Sequence, residues 1–261
     1  MDKIAKKFRN GQPFIGYLTA GDGGLDYSLA CAQALIEGGV DILEIGLPFS
    51  DPIADGPIIQ RAHQRALENR TASAEVLEMI KQLKRLSDTP LVLFSYYNPL
   101  LRKQDQFLLK AKEAGIDAVL VVDLPVSIQP GAQDPFFQAL ERVELLPILL
   151  ATPSTDSTRL AQIGKMAQGF VYYVSQKGTT GMRKDLAADF ADHLSRLRPL
   201  IPVPIAAGFG IADQSAARAA LAHADGFVVG SAFVKLMEEK RSPADLKALA
   251  QAIDPRSRKE T

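Results

Sequence analysis

The chain has 261 residues, 47% of them hydrophobic, with 30 Lys plus Arg against 30 Asp plus Glu. That length suits one large α/β domain, and the zero net charge excludes a basic footprint for nucleic acid or an anionic membrane surface. A single cysteine, Cys31, excludes an intrachain disulfide; set among Leu29, Ala30 and Ala32 on a helical pattern, it reads as packing.

In chain order, residues 1–7 hold no apolar run of the signal-peptide kind, and no stretch approaches the ~18 apolar residues of a membrane helix. A cytoplasmic protein is expected. An N-terminal extra helix is followed by short apolar, β-branched runs near 14–19, 40–46, 91–96, 117–123, 145–151, 169–175, 203–207 and 226–230. Most are too apolar for half-exposed strands, which predicts parallel strands covered by helices. Helical spacing fills the gaps. Val76, Leu77, Ile80, Leu83 and Leu86 form one face, Leu186, Phe190, Leu194 and Leu197 another. Leu246, Leu249 and Ile253 form a third, opened by Ser242 as N-cap, Pro243 and Asp245.

A local pattern repeats. Gly38-Gly39-Val40-Asp41, Ala114-Gly115-Ile116-Asp117 and His223-Ala224-Asp225-Gly226 each stop a helix and lead into a buried strand. Eight strand–helix units without a linker predict a single (β/α)₈ TIM barrel over 1–261, with a frayed tail from about 254 and extended loops after strands two and six. The alternative, an open doubly wound sheet, lacks a nucleotide fingerprint after its first strand.

Barrel chemistry sits at the C-terminal ends of strands. Glu44 is an acid inside the apolar second strand, expected to share a face with Val40 and Ile42. Burial without a partner would make it a proton donor and acceptor near neutrality; pairing with Lys or Arg would make it structural. The following loop holds Pro48, Asp51, Pro52, Asp55, Gly56 and Pro57, a stiff shape in which both aspartates are candidate partners of Glu44 or turn caps. Glycines follow strands six (Gly178, Gly181), seven (Gly208, Gly210) and eight (Gly230, before Ser231). Such loops with a helix N-terminus bind phosphate without net positive charge. His63, His193 and His223 fall in or at the ends of helical segments away from the strand tips and are read as non-catalytic; no His/Cys cluster has zinc spacing. Asp123, ending strand four, is read as supporting the site or the fold. Tyr17, Phe94, Tyr172 and Phe209 lie near strand ends, as pocket lining or core.

These residues carry a resemblance. The segment Leu43-Glu44-Ile45-Gly46-Leu47-Pro48-Phe49-Ser50-Asp51-Pro52-Ile53-Ala54-Asp55-Gly56-Pro57 resembles the signature of the tryptophan synthase alpha subunit family. Tyr96-Tyr97-Asn98-Pro99, Asp123-Leu124-Pro125, Gly178-Thr179-Thr180-Gly181, Gly208-Phe209-Gly210-Ile211 and Gly230-Ser231-Ala232 match in order. The resemblance implies cleavage of indole-3-glycerol phosphate to indole and glyceraldehyde 3-phosphate, without a metal or cofactor. It implies Glu44 as the acid–base and Asp55 as the group facing the indole N–H. It places Tyr17, Phe94, Tyr172 and Phe209 around the indole, and Gly181, Gly210, Gly230 and Ser231 at the phosphate. Gln176, Lys177, Gly178 and Thr180 fall in its lid. Asp51, Pro52, Asn98 and Pro125 fall at its contact with a beta subunit, which carries PLP in an α2β2 heterotetramer.

Three places depart from the family pattern: Val126 to Gly131 where acidic residues are common, Gln176 where arginine is common, and Tyr17 where phenylalanine is common. The lid change leaves room for a second expectation, a regulatory subunit that activates the beta subunit with little turnover of its own. A third, another phosphate-sugar barrel enzyme, is opposed by the 48–57 loop.

Overall fold

The computed structural model describes residues 2–101, 104–129, 134–174, 184–208 and 210–256, with the backbone alone at 104 and 184–189. Its strands are β1 (Phe14–Thr19), β2 (Ile42–Gly46), β3 (Leu91–Ser95), β4 (Ala118–Val121), β5 (Leu146–Ala151), β6 (Val171–Val174), β7 (Ile205–Gly208) and β8 (Gly226–Val229). Each pairs parallel with the next, and β8 returns to β1, so the expected barrel closes. The helices are α1 (Lys3–Arg9), α2 (Leu25–Glu37), α3 (Pro57–Glu68), α4 (Ser73–Leu86), α5 (Tyr97–Leu101), α6 (Gln104–Ala114), α7 (Pro135–Arg142), α8 (Ser157–Met166), α9 (Lys184–Leu197), α10 (Gln214–Leu221), α11 (Ser231–Glu238) and α12 (Pro243–Ile253).

Strand alternation sorts side chains into two cores. Ile15, Ile42, Val92, Leu120, Ile148 and Ala206 pack inside the barrel. Leu18, Leu43, Ile45, Leu93, Val119 and Val229 pack outward under the helices. Val40 belongs to the outer core, not to the face of Ile42 as the sequence suggests. The strand begins only at Ile42, and Gly39 before it has φ +109°, so alternation does not run back across the turn. Leu86 also departs: it is 57% exposed. From Ile80 to Leu83 to Leu86 each step of three residues lags a full turn by ~60°, and the last step leaves the buried stripe. Ser242 caps α12 as expected, its hydroxyl accepting from the Asp245 N–H. Cys31 is fully buried, and burial lifts its thiol to about 11, which suits a packing role.

The repeated aspartates explain themselves at the bottom of the barrel. Asp41 accepts from the Phe14 N–H (3.0 Å), Asp117 from Leu91 (2.9 Å) and Asp225 from Ile205 (2.7 Å). In each case the aspartate's own N–H donates back to the carbonyl of the same residue. Each carboxylate thus staples the start of one strand to the start of the next. A cation backs each staple: Arg256 at Asp41, Lys84 at Asp117, Arg198 at Asp225. The β5–β6 pair has Phe170 at the equivalent place, and α1 packs there instead. Phe8 lies 5.5 Å from Phe170, and Ile4 joins the interior core. Arg256 also reaches Asp254, the Gln12 carbonyl and the Gly39 carbonyl. The chain is therefore anchored as far as Arg256, and the rest of the tail expected to fray lies outside the described residues.

Asp117→Ala leaves the Leu91 N–H and Lys84 without this carboxylate. We expect a loss of about 1–3 kcal/mol, read as a lower Tm, because the bond is charge-assisted and half-buried. An unchanged Tm would show that the staple contributes nothing.

Candidate active site

Glu44 lies two residues before the end of β2, paired across the sheet with Tyr17 of β1 and Val92 of β3. It points inward with Ile42 and is fully buried. Neither carboxylate oxygen has a hydrogen-bond partner among the described residues, and no described cation pairs with it. Desolvation alone raises its pKa from the ordinary 4.5 to about 8. It is the functional alternative, not the salt-bridged one, that this geometry supports.

Asp55 sits in the turn just before α3. Its N–H donates to the Pro52 carbonyl (3.1 Å), and Gln60 holds its carbonyl (2.9 Å). The Tyr96 hydroxyl donates to Asp55 Oδ2 (2.7 Å) and accepts from the Ala54 N–H (2.9 Å). His63 Nε2 lies 3.4 Å from the same Oδ2. Tyr96 is almost wholly buried, and burial, with the Asp55 charge behind it, holds its hydroxyl protonated far above the usual range. The sequence places Tyr96 at the end of a strand. The strand stops at Ser95, and Tyr96 turns to the β2 loop instead.

Tyr17 and Tyr172 connect the two carboxylates. Burial, then Asp55 and more weakly Glu44, pushes the Tyr17 hydroxyl well up; at Tyr172 burial acts first, then Glu44, then Asp55. Both rings thus sense both acids at the barrel mouth. Two strand-end glycines make space for them. A Cβ at Gly46 would stand 2.3 Å from the Tyr17 hydroxyl oxygen, and one at Gly208 would stand 2.3 Å from that of Tyr172. The Tyr17 hydroxyl is satisfied by Thr19 Oγ1 at 3.0 Å. Phe94 meets Tyr17 edge-on at 5.0 Å. The result is an apolar mouth with one unpaired acid at its base.

On the far side, Gly230 is the N-cap residue of α11, with Ser231 as first residue, so this helix aims free N–H groups at the mouth of β8. Gly210 follows β7 with φ +54°. Gly181, Phe209 and the lid residues Gln176, Lys177, Gly178 and Thr180 lie outside the described residues. Asp51, Asn98 and Pro125 are exposed and Pro52 is half-exposed. Asp123 accepts from the Tyr97 N–H (2.7 Å) and starts α5, a structural role. His193 meets the Tyr173 hydroxyl (3.1 Å) and His223 packs on Phe190; neither approaches the two acids.

Tyr96 and His63 are the site residues that the sequence reading missed. One signal for His63 was available: it stands six residues into the helix that begins two residues after Asp55, so it lies only ~9 Å along the axis, beneath the loop. Arg61 and Arg65 on the same helix reach Glu238 at the end of α11, and Arg65 also grips buried Asp22 with its Nε and Nη2 together. The floor under the loop is therefore cross-braced to the helix that follows β8.

A closed parallel barrel with a buried carboxyl group at its mouth, unpaired among the described residues and pushed up in pKa, is the frame of a (β/α)₈ enzyme. The sequence profile described as tryptophan synthase alpha chain matches residues 4–259. The tryptophan synthase alpha chain of Chlamydia caviae is 62% identical over 256 residues, covering 98% of this chain and 100% of that one. That of Coxiella burnetii (strain CbuK_Q154) is 44% identical, covering 98% of each. Among solved structures, tryptophan synthase subunit alpha from Legionella pneumophila str. Paris matches with a TM-score of 0.87 at 31% identity over 97% of each chain. A chain of the tryptophan synthase complex from Pyrococcus furiosus matches with 0.82 at 36% identity, over 92% of this chain and 97% of that one. The chain belongs to the tryptophan synthase alpha chain family, and its catalytic class is that of a lyase.

The buried acid makes a stability prediction. Because its folded pKa is raised, Glu44 keeps a proton that the unfolded chain loses above about 4.5. Wild-type stability should therefore fall, relative to Glu44→Gln, as pH rises from about 4.5 to about 8, and the gap should then level off. Parallel thermal melts across that window read it; a gap that does not change with pH would contradict the burial of an unpaired acid.

Proposed function

We propose that this chain cleaves indole-3-glycerol phosphate to indole and glyceraldehyde 3-phosphate, with Glu44 as the acid–base. The observation that carries the reading is a fully buried carboxyl group with no partner among the described residues, whose burial pushes its pKa up to about 8. At neutral pH such a group holds its proton and can still give it up.

The chemistry is a retro-aldol cleavage. Neutral Glu44 protonates the indole ring at C3, and positive charge develops at the ring nitrogen. Asp55 faces that N–H and stabilises the charge. The Glu44 carboxylate then takes the proton of the side-chain hydroxyl next to the ring. The carbon–carbon bond breaks, its electrons return to the ring as indole forms, and the hydroxyl carbon becomes the aldehyde. One proton enters at carbon and one leaves from oxygen, so Glu44 ends as it began. Tyr17, Phe94, Tyr172 and Phe209 surround the indole. Gly181, Gly210, Gly230, Ser231 and the positive end of α11 hold the phosphate. Gln176, Lys177, Gly178 and Thr180 form the lid.

The chain's own residues supply this chemistry without a cofactor. PLP is assigned to a beta subunit, the partner in an α2β2 heterotetramer working in the cytoplasm. Membership of the family and the match to a tryptophan synthase complex support such a partner. Among the described residues no helix is long and apolar enough to cross a membrane. The partner surface is assigned to Asp51, Pro52, Asn98 and Pro125. They are joined by Ile53, 85% exposed beside a groove of about 890 Å³ between the β2 loop and α3.

Purified protein should release indole from indole-3-glycerol phosphate, slowly alone and faster with the beta subunit, and Glu44→Gln should abolish release while the fold is kept. Its kcat/KM should fall above pH about 8, as Glu44 loses the proton it must donate. Absent turnover with a competent beta subunit would replace the lyase reading with that of a regulatory subunit.

A further inference from the structure

His63 is 99% buried inside α3 and contacts two different parts of the β2 loop. The Phe49 N–H donates to its Nδ1 at 3.2 Å. A nitrogen that accepts carries no proton, so the neutral ring holds its hydrogen on Nε2. Nε2 lies 3.4 Å from Asp55 Oδ2, a contact that falls short of a hydrogen bond, and it has no hydrogen-bond partner among the described residues. The ring therefore links the start of the loop, at Phe49, to Asp55 near its end.

Oδ2 of Asp55 also receives the Tyr96 hydroxyl at 2.7 Å, whereas no described donor reaches Oδ1. One donor, the Tyr96 hydroxyl, and the Nε2 edge of His63 thus face the same oxygen from two elements. Phe49 stacks on Tyr96 at 4.9 Å, and His63 meets Tyr96 edge-on at 6.3 Å, so the three rings pack as one unit behind the carboxylate. Tyr96 alone fixes the distance of Oδ2. A second polar group facing Oδ2 from another direction is placed to restrict the rotation of the carboxyl plane as well.

We propose that His63 is a positioning residue: its Nε2–H holds Asp55 Oδ2 and leaves Oδ1 turned toward the substrate nitrogen, while its Nδ1 anchors the start of the same loop. This rests on the reading of Asp55 as the group facing the indole N–H. The ring never touches substrate. It acts through the orientation of Asp55, and it does so as a neutral imidazole.

The test is a double-mutant cycle in the complex with the beta subunit, with thermal melts to confirm folding. His63→Leu fills the space but donates nothing. It should lower kcat by roughly ten- to a hundredfold, the cost of a misplaced group, with KM changed less than about twofold. In an Asp55→Ala background the same change should alter kcat by less than about twofold, because the residue it acts through is gone. His63→Gln, whose amide N–H₂ can reach the place of Nε2, should recover most of the lost kcat. A second measurement does not need turnover: in ¹⁵N spectra of labelled histidine, the Nε2–H tautomer should be seen, and its signal should shift on Asp55→Ala. Equal losses in both backgrounds, or a folded His63→Gln as impaired as His63→Leu, would make His63 a packing residue and overturn the proposal. A ring signal indifferent to Asp55 would overturn it as well. If the spectra show the contact but the wild type makes no indole, the lyase reading fails while the contact stands.

Discussion

The interior of this barrel carries one unfavourable placement, a carboxyl group with no partner among the described residues. Raising Glu44 from 4.5 to about 8 corresponds to roughly 5 kcal/mol against the charged form. Domains of ordinary stability hold only about 5–15 kcal/mol in total. Ionised Glu44 would thus consume a large part of what keeps the chain folded, and the neutral form is the one the fold accommodates. The interior and outer cores offset that strain by burying apolar side chains on both faces of every strand. A proton held in this way is free to move, because no described group competes for it by hydrogen bonding.

The second acid is managed in the opposite way. Asp55 lies in a turn, with one oxygen bound by Tyr96 and approached by His63. Its side chain is also largely buried, but a hydroxyl donor reaches it where no described donor reaches Glu44. Two carboxylates placed in unlike environments are suited to unlike tasks. The tyrosines between them sense both, which places the pair around one space rather than at separate points.

What was legible in the sequence was what depends on local patterning. Continuous apolar runs marked the strands, because both faces are buried. Glu44 stood out as a charge within such a run, and the prolines of the 48–57 loop stood out as a break from helix. Errors came where periodicity was carried past its physical limit. Val40 was assigned to the inner face across a glycine turn, and Leu86 was assigned to a stripe that had already rotated away. Tyr96 and His63 were missed for another reason. Both lie in segments whose apolar pattern accounts for them as core; Tyr96 reaches Asp55 because β3 pairs beside β2, and His63 because the loop folds back over its own helix. A residue that acts by reaching a distant loop leaves no periodic trace.

The aspartate staples bear on how such a chain finds its shape. The three bonds join residues 27, 26 and 20 positions apart, each within one strand–helix–strand unit. Loop-closure entropy grows slowly with length, and contacts this local form early and fast. A parallel barrel would otherwise depend on pairings that span long stretches of chain. Here three of the strand pairs are registered within their own units, so those βαβ segments can assemble against their aspartates before the ring is complete. Only the joining of β8 to β1, across nearly the whole chain, has no such short path, and that final seam is where Arg256 reaches back from the C-terminal end to Asp41, the staple of the first unit.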